Sequence, residues 1–201
     1  FRYRIKEVLE TEPSVENKPE GEICRAALPG EAADGTDHVL PAPRGEVEFR
    51  DVSFHYPSSD KNVLEHITFQ AKRGETVAFI GATGSGKTTL AGLIPRFYDA
   101  TQGTVLVDGV DVRDYTFDAL YDRLGYVTQK AVLFSGTVQD NIFFGQSEAA
   151  DTDETLQQAL QLSQAAEFVD RYPEKAAHPI AQLGRNVSGG QKQRLSIARA
   201  L

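Results

Sequence analysis

Residues 81–88, GATGSGKT, form a glycine-rich stretch that ends in a lysine and a threonine. They match the pattern G-x-x-x-x-G-K-[ST], in which glycines let successive backbone N–H groups point at phosphate oxygens. Lys87 is predicted to reach the β- and γ-phosphates of a nucleotide, and the Thr88 hydroxyl to ligate Mg²⁺. An ordinary glycine-rich turn with an exposed lysine is the weaker alternative. The predicted phosphate-binding residues are Gly81, Ala82, Thr83, Gly84, Ser85, Gly86, Lys87, Thr88 and, through its backbone N–H, Thr89.

A second loop of small residues, NVSGGQ at 186–191, leads into a predicted helix. Ser188 can cap that helix and donate a hydrogen bond to a phosphate, and the two glycines after it allow an anion to approach the backbone. A plain capped helix without a ligand is the alternative. The predicted anion-binding residues are Ser188, Gly189, Gly190 and Gln191, and the apolar helical stripe is Leu195, Ala198 and Leu201.

The segments around these loops predict an α/β scaffold. TVAFI at 76–80 is apolar throughout, which predicts a strand buried on both faces of a parallel sheet. Apolar and polar residues alternate over 47–54, as in half-buried strands, and TVLVDG at 104–109 predicts a strand that ends in an Asp-Gly turn. Residues 152–168 predict a helix. A further helix after the glycine-rich loop is indicated by Leu90, Leu93, Ile94 and Phe97.

Composition excludes several classes of function. The formal net charge of -8 over 201 residues argues against a nucleic-acid partner, because such domains usually carry a basic surplus. No apolar run reaches the 18 or so residues of a membrane helix, and no signal-peptide pattern is present. Cys24 is the only cysteine, so an intramolecular disulfide is impossible, which fits a reducing cytoplasm.

The N-terminal part has a different character from the rest of the chain. Residues 1–12 place apolar side chains on one helical face, and we expect them to end a helix that begins further upstream. Residues 13–43 hold five of the nine prolines and predict a linker. The nucleotide-binding domain is predicted to occupy 44–201.

The segment VSGGQKQRLSIARAL at 187–201 resembles the signature of the ATP-binding cassette (ABC) superfamily, with Val187 where leucine is commoner. The resemblance runs from about Glu46 to Leu201. It implies a P-loop NTPase core, in which residues 81–88 are the P-loop, together with an antiparallel β subdomain and a helical signature subdomain. It also implies ATP with Mg²⁺ as the ligands.

The resemblance also implies roles that spacing alone does not supply. Tyr56, in VSFHYP, falls where the family places an aromatic ring against adenine. Gln129, in YVTQK, falls at the Q-loop glutamine, which contacts Mg²⁺ or the attacking water and links to the membrane domain. Lys87 and Gln129 are therefore the candidate catalytic residues, and Thr88 and Gln129 the candidate metal ligands. An aromatic at the rim of the domain and a loop amide are the ordinary readings of Tyr56 and Gln129.

Other stretches resemble the exporter type, in which the cassette follows membrane helices on one polypeptide. LIPRFYDATQGTVLVDG at 93–109 is one, and EVLETEP at 7–13 is similar to the exit from the last membrane helix of bacterial exporters. The implied partners are that transmembrane domain and a second nucleotide-binding domain bound head to tail. The implied location is the cytoplasmic face of the bacterial plasma membrane.

The family continues past the signature into an apolar strand with a magnesium-linked Asp, a catalytic Glu and a switch His. None of these follows Leu201 in this sequence, so we expect the 201-residue chain to bind ATP poorly and not to hydrolyse it. PIAQ before the signature is similar to some heterodimeric exporters with one degenerate site. Three functions remain open: an exporter motor, a degenerate ATP-binding half of a heterodimer, and a soluble ABC ATPase.

Overall fold

The computed structural model describes residues 15–16, 40, 42–145 and 152–201, which fall into two compact units, Phe1–Leu124 and Gly125–Leu201. The predicted N-terminal helix at 1–12, Cys24 and most of the predicted linker lie outside the described residues. Within the described ranges, no helix combines the length and the apolar character needed to cross a membrane.

The first unit contains the strands β1 (Val47–Phe54), β2 (Leu64–Ala71), β3 (Gln102–Val107) and β4 (Val110–Asp111). They form an antiparallel sheet with the strand order β2-β1-β3-β4. The tight turn between β3 and β4 has positive φ at both Asp108 (52°) and Gly109 (85°), as primed hairpin turns require. The predicted strand and Asp-Gly turn at 104–109 are thereby confirmed.

A bulge in β1 explains how its two alternating halves face one core. Phe49 and Val52 are both fully buried, although residues three apart in a regular strand point to opposite faces. The pairing with β2 shifts register between these two residues, and Asp51 between them has φ of 51°. The Asp51 N–H donates to the Thr68 hydroxyl at 2.9 Å. The extra residue therefore keeps both halves of β1 in the core.

Two helices cover this sheet and close the core of the first unit, α1 (Lys87–Leu93) and α2 (Phe117–Tyr121). Phe49 stacks on Phe69 with ring centroids 4.6 Å apart. The buried Tyr115 hydroxyl donates to the Val107 carbonyl at 2.8 Å, so its polar group is satisfied. The buried apolar residues of this core include Leu64, Leu90, Leu93, Val105, Val112 and Leu120.

The Asp108 carboxylate fastens the start of β1 to the β3–β4 turn. It accepts the N–H groups of Arg44 (3.0 Å) and Glu46 (3.1 Å) and pairs with the Arg123 guanidinium at 2.7 Å. Burial by itself would raise the pKa of this carboxyl, but these hydrogen bonds together lower it below its usual value. The stability that the carboxylate contributes is present above its unfolded pKa, about 3.9. It is lost as the pH falls through the lower folded value.

The predicted buried strand at 76–80 is not formed. The structure assigns no strand there, and no described segment pairs with it. Ile80 is 97 % exposed, and Val77 and Phe79 are exposed as well. Apolar composition selects a buried strand only when neighbouring strands supply backbone hydrogen bonds and cover both faces. The prediction is therefore wrong for the described chain.

The second unit is mainly helical and contains a two-stranded antiparallel sheet of β5 with β6. The predicted helix at 152–168 is two helices, because Gln164 between them has φ of 59° and breaks the helical path. The buried core joins Leu133, Val138, Ile142, Leu156, Leu160, Val169 and Leu195. The elements are β5 (Gly136–Thr137), α3 (Val138–Ile142), α4 (Asp153–Leu162), α5 (Ala166–Val169), β6 (Pro179–Ile180) and α6 (Gly189–Arg199).

Candidate functional site

The glycine-rich loop before α1 has a backbone that other residues would strain. Gly84 and Gly86 have φ of 85° and 87°, in the left-handed region. A Cβ on Gly86 would also lie 2.9 Å from Leu64 Cδ2 and 3.1 Å from the Val63 carbonyl oxygen. These two glycines are therefore required by conformation, and Gly86 is also required by space.

The Lys87 ammonium forms its hydrogen bonds with the loop that precedes it. Its Nζ donates to the carbonyls of Gly81 (2.8 Å) and Ala82 (2.7 Å) and lies 3.3 Å from the Ser85 hydroxyl. Helix α1 has no side-chain cap at its start and no acidic residue in its first turn. The ammonium and the first N–H groups of the helix thus form a positive site that no acidic side chain of that turn neutralises.

The two threonines after Lys87 have different surroundings. Thr88 is exposed, so its hydroxyl can reach a cation at the loop. Among the described residues there is no group of three or more His, Cys, Asp or Glu able to hold a metal ion. A hydroxyl together with nucleotide phosphate oxygens fits Mg²⁺, which prefers hard oxygen ligands and is commonly held by few protein groups. Thr89 is buried instead.

Tyr56, two residues past β1, is connected directly to α1. Its hydroxyl lies 2.9 Å from the Thr89 hydroxyl. Its ring meets the rings of Phe54 (5.0 Å, 82°) and Tyr98 (5.3 Å, 90°) in edge contacts. The structure thus brings the predicted adenine-stacking ring to the helix that follows the glycine-rich loop. Sequence reasoning missed Thr89 Oγ1 and Tyr98, since no periodicity relates positions 56, 89 and 98.

Ser188 caps α6 through a reciprocal pair of hydrogen bonds. Its hydroxyl accepts the Gln191 N–H at 3.3 Å, and the Gln191 side-chain oxygen accepts the Ser188 N–H at 2.8 Å. The predicted N-cap is therefore present. Gly189 and Gly190 are exposed, and a Cβ on either would meet no atom within 4 Å. Space for an anion is thus open, while phosphate binding by this loop stays a prediction.

Comparison with known proteins decides the family. Residues 64–201 match the family model described as ABC transporter. The chain belongs to the ABC transporter family. Its fold also matches a bacterial Atm1-family ABC exporter solved with ATP bound, with a TM-score of 0.80 and 31 % identity over 99 % of this chain and 32 % of that one. The predicted resemblance and the fold, mixed α/β with an antiparallel sheet and helices, are confirmed.

The curated relatives are longer ABC proteins. A putative multidrug export ATP-binding/permease protein of Bacillus subtilis, YgaD, is 46 % identical over 156 residues, 78 % of this chain and 27 % of the relative. An ATP-dependent lipid A-core flippase of Aromatoleum aromaticum is 46 % identical over 157 residues, 78 % of this chain and 26 % of the relative. This ABC chain thus spans about a quarter of the length of these relatives.

The ABC signature helix, α6, is held in the second unit by two arginines. Arg194 donates to the Gln164 carbonyl (3.0 Å) and the Glu167 carboxylate (2.8 Å). Arg199 donates to the Asn141 backbone oxygen (2.7 Å) and side-chain oxygen (3.2 Å), and burial lowers the pKa of its guanidinium. The Asn141 amide donates in turn to the carbonyls of Phe134 and Thr137, both at 2.9 Å. Sequence analysis had not singled out these positions.

The Asn186 side chain forms two hydrogen bonds that stabilise the loop before the signature helix. Its side-chain oxygen accepts the Ala181 N–H at 2.9 Å, and its amide donates to the Pro179 carbonyl at 2.8 Å. Leu183, within this loop, has φ of 58° and is exposed. Gln129, the predicted Q-loop residue, is exposed in the same unit, and its role toward Mg²⁺ or water remains a prediction.

Proposed function

We propose that this chain is the ATP-binding motor domain of an ABC exporter that couples ATP binding and hydrolysis to transport of a substrate across the bacterial plasma membrane. The observation that carries the proposal is the position of the Lys87 side chain. Its ammonium lies on a glycine-rich loop at an uncapped helix start, and that helix has no acidic residue in its first turn. Such a site suits the triphosphate of a nucleotide.

The residues of the site have separate tasks in this proposal. The loop N–H groups and Lys87 bind the β- and γ-phosphates, and Tyr56 stacks on adenine. Thr88 and Gln129 are the protein ligands for Mg²⁺, which would neutralise charge on the phosphates when bound. Gln129 also orients the water that attacks the γ-phosphate, which releases ADP and inorganic phosphate.

The second phosphate-binding loop implies a second copy of the domain. Ser188, Gly189, Gly190 and Gln191 bind the γ-phosphate of ATP held by the P-loop of the partner domain. ATP then closes a head-to-tail dimer because both surfaces bind one anion, and hydrolysis removes that shared anion and permits reopening. The names of the relatives, a permease and a flippase, support a membrane exporter over a soluble ATPase.

Mixed dimers of the full-length protein test this arrangement. One dimer pairs a Lys87→Ala chain with a Ser188→Arg chain, and the other pairs a doubly substituted chain with an unchanged chain. A head-to-tail dimer keeps one intact site in the first case and none in the second, so only the first retains ATP hydrolysis. The opposite pattern would show that P-loop and signature serve one intramolecular site. Absence of ATP binding by the unchanged protein would reject the motor function itself.

A degenerate ATP-binding half of a heterodimer is the second candidate. The observation in its favour is the stretch QLGR at 182–185, where many exporters have Glu-Arg-Gly, so the loop before the signature has no acidic residue. In that case the residue after the strand-terminal Asp would be Asp, one methylene too short for efficient proton transfer. A Glu there, together with rapid hydrolysis by a homodimer, would reject this candidate.

A further inference from the structure

The hydrogen bond between Tyr56 and Thr89 joins two parts of the proposed nucleotide site that are far apart in sequence. Thr89 follows Thr88 in α1, and its buried hydroxyl lies 2.9 Å from the Tyr56 hydroxyl across 33 residues of chain. One end of this bond belongs to the helix that carries the phosphate loop. The other end belongs to the aromatic ring assigned to the base.

Thr89 is suited to be the fixed end of this bond. It is β-branched and lies inside a helix, so its χ1 is restricted, and its buried position limits it further. Tyr56 is half-buried and lies past the end of β1, where its backbone carbonyl accepts the Ser59 N–H at 2.9 Å in a turn but its ring is not positioned by strand pairing. The edge contacts with Phe54 and Tyr98 limit where the Tyr56 ring can lie, but they are not hydrogen bonds. The hydroxyl contact with Thr89 is a directional bond between the ring and α1.

We propose that Thr89 is a positioning residue that sets the distance between the Tyr56 ring and the phosphate loop. The site then favours ligands in which an aromatic base is attached to a triphosphate by a sugar of matching length, and it gains less from a triphosphate without a base. This inference rests on the proposed function, because it assumes a nucleotide in the site. It adds a specificity role for the Thr89 hydroxyl, since only the backbone N–H of this residue was otherwise assigned to phosphate binding.

A purely structural bond between the β1 exit and α1 is the competing explanation, and it makes a different prediction. A structural bond affects the free energy of unfolding, whereas a positioning bond affects the ratio of affinities for ATP and for inorganic tripolyphosphate. That ratio cancels any change in phosphate binding caused by altering Thr89, because both ligands carry three linked phosphates.

The experiment measures Mg²⁺-dependent binding of ATP and of inorganic tripolyphosphate, by competition, to the full-length protein. Thr89→Val keeps the shape of the side chain and removes the hydroxyl, Thr89→Ser keeps the hydroxyl, and Tyr56→Phe removes the bond from its other end. We expect Thr89→Val and Tyr56→Phe each to reduce the ATP-to-tripolyphosphate ratio about 2- to 10-fold, the ordinary effect of one neutral hydrogen bond. Thr89→Ser should retain the ratio, and the double variant should equal either single one.

The outcomes separate this inference from the proposed function. If the unchanged protein binds ATP no better than tripolyphosphate, the base-stacking part of the proposed function fails. If it prefers ATP and both hydroxyl-removing variants keep that preference, the positioning role is rejected while the ATP site stands. A lower thermal unfolding temperature with an unchanged ratio would assign the bond to stability alone. Tyr56→Phe provides the decisive measurement if Thr89→Val does not fold.

Discussion

The two loops proposed to bind phosphate both end at the start of a helix, but the two helix starts are built differently. Helix α1 begins at Gly86 in a left-handed conformation and has no side-chain cap. Helix α6 begins at Ser188, which shares a complete capping box with Gln191. Neither helix has an acidic residue in its first turn. Neither start is therefore neutralised by an acidic side chain of its first turn, and only at α6 do side chains satisfy two of the N–H groups, those of Ser188 and Gln191.

This difference suggests how the two loops share one nucleotide. The N–H groups of α1 are not committed to a side-chain cap, and Lys87 is bound only to atoms of its own loop. The loop can therefore bind phosphate within one chain. At α6, the Ser188 hydroxyl already accepts a backbone N–H, and its proton remains as the donor to an added phosphate. The signature loop thus has its own cap, and in the proposed arrangement it adds a hydrogen bond when a second domain presents ATP.

Substitution of Lys87 should have the largest effect on ATP affinity and should show most clearly that the two helix starts differ. Lys87→Ala is expected to reduce the ATP affinity of the full-length protein about 10- to 100-fold, since a hydrogen bond from a charged group contributes about 1.5–3 kcal/mol. Lys192→Ala is the matched control, because Lys192 lies in the first part of α6 and donates to the Leu183 carbonyl at 2.9 Å. Fluorescent ATP titration measures both. Equal losses would mean that the two helix starts are equivalent toward ATP.

Alanine substitution of one glycine in each loop should have opposite or unequal effects on the unfolding free energy. Gly86→Ala forces a left-handed residue against Leu64 and the Val63 carbonyl, which should cost about 1–3 kcal/mol of unfolding free energy. Gly189→Ala meets open space at the start of α6 and should leave stability unchanged or raise it by up to about 1 kcal/mol. Urea unfolding measures both. If Gly189→Ala nevertheless impairs ATP-driven association, Gly189 is required for anion binding and not for folding.

Two substitutions of Ser188 separate its cap from its proposed phosphate bond. Ser188→Ala should cost about 1 kcal/mol of stability through loss of the cap. Ser188→Asp keeps a capping oxygen and favours the helix start, so stability should be retained, but its charge repels a phosphate. Both should reduce ATP-driven dimerisation of the full-length protein and leave ATP binding at its own P-loop unchanged. Normal dimerisation of the Asp variant would contradict the proposed anion site.

The smallest effect is expected from the other half of the capping box. Gln191→Ala removes the acceptor of the Ser188 N–H, but this N–H is exposed, so water replaces the lost acceptor. The cost should be about 0.5 kcal/mol, at the low end for a hydrogen bond. Gln193→Ala, two residues further along the same helix, controls for the loss of a glutamine side chain. A loss as large as that of Ser188→Ala would show that the two halves of the box act as one unit.

The sequence alone identified both loops, the alternating strands of the antiparallel sheet, the Asp108-Gly109 turn and the Ser188 cap. Each of these depends on residues within a stretch of at most about eight positions, and glycine, N-cap and periodicity rules describe that range. Resemblance to the ABC family added Tyr56 and Gln129, whose types and spacing indicate nothing by themselves. The family assignment was confirmed, whereas the roles of these two residues remain predictions.

Tertiary structure decided the contacts that cross the sequence. The Tyr56–Thr89 bond joins positions 33 apart, and the Arg199–Asn141 bonds join positions 58 apart. The bulge at Asp51 follows from pairing β1 with β2, and 76–80 is not a strand because no described segment pairs with it. Local hydrogen bonds need only neighbouring residues, so sequence specifies them. A strand or a long-range bond needs a partner that the chain path must bring within about 3 Å, and only the folded chain determines that path.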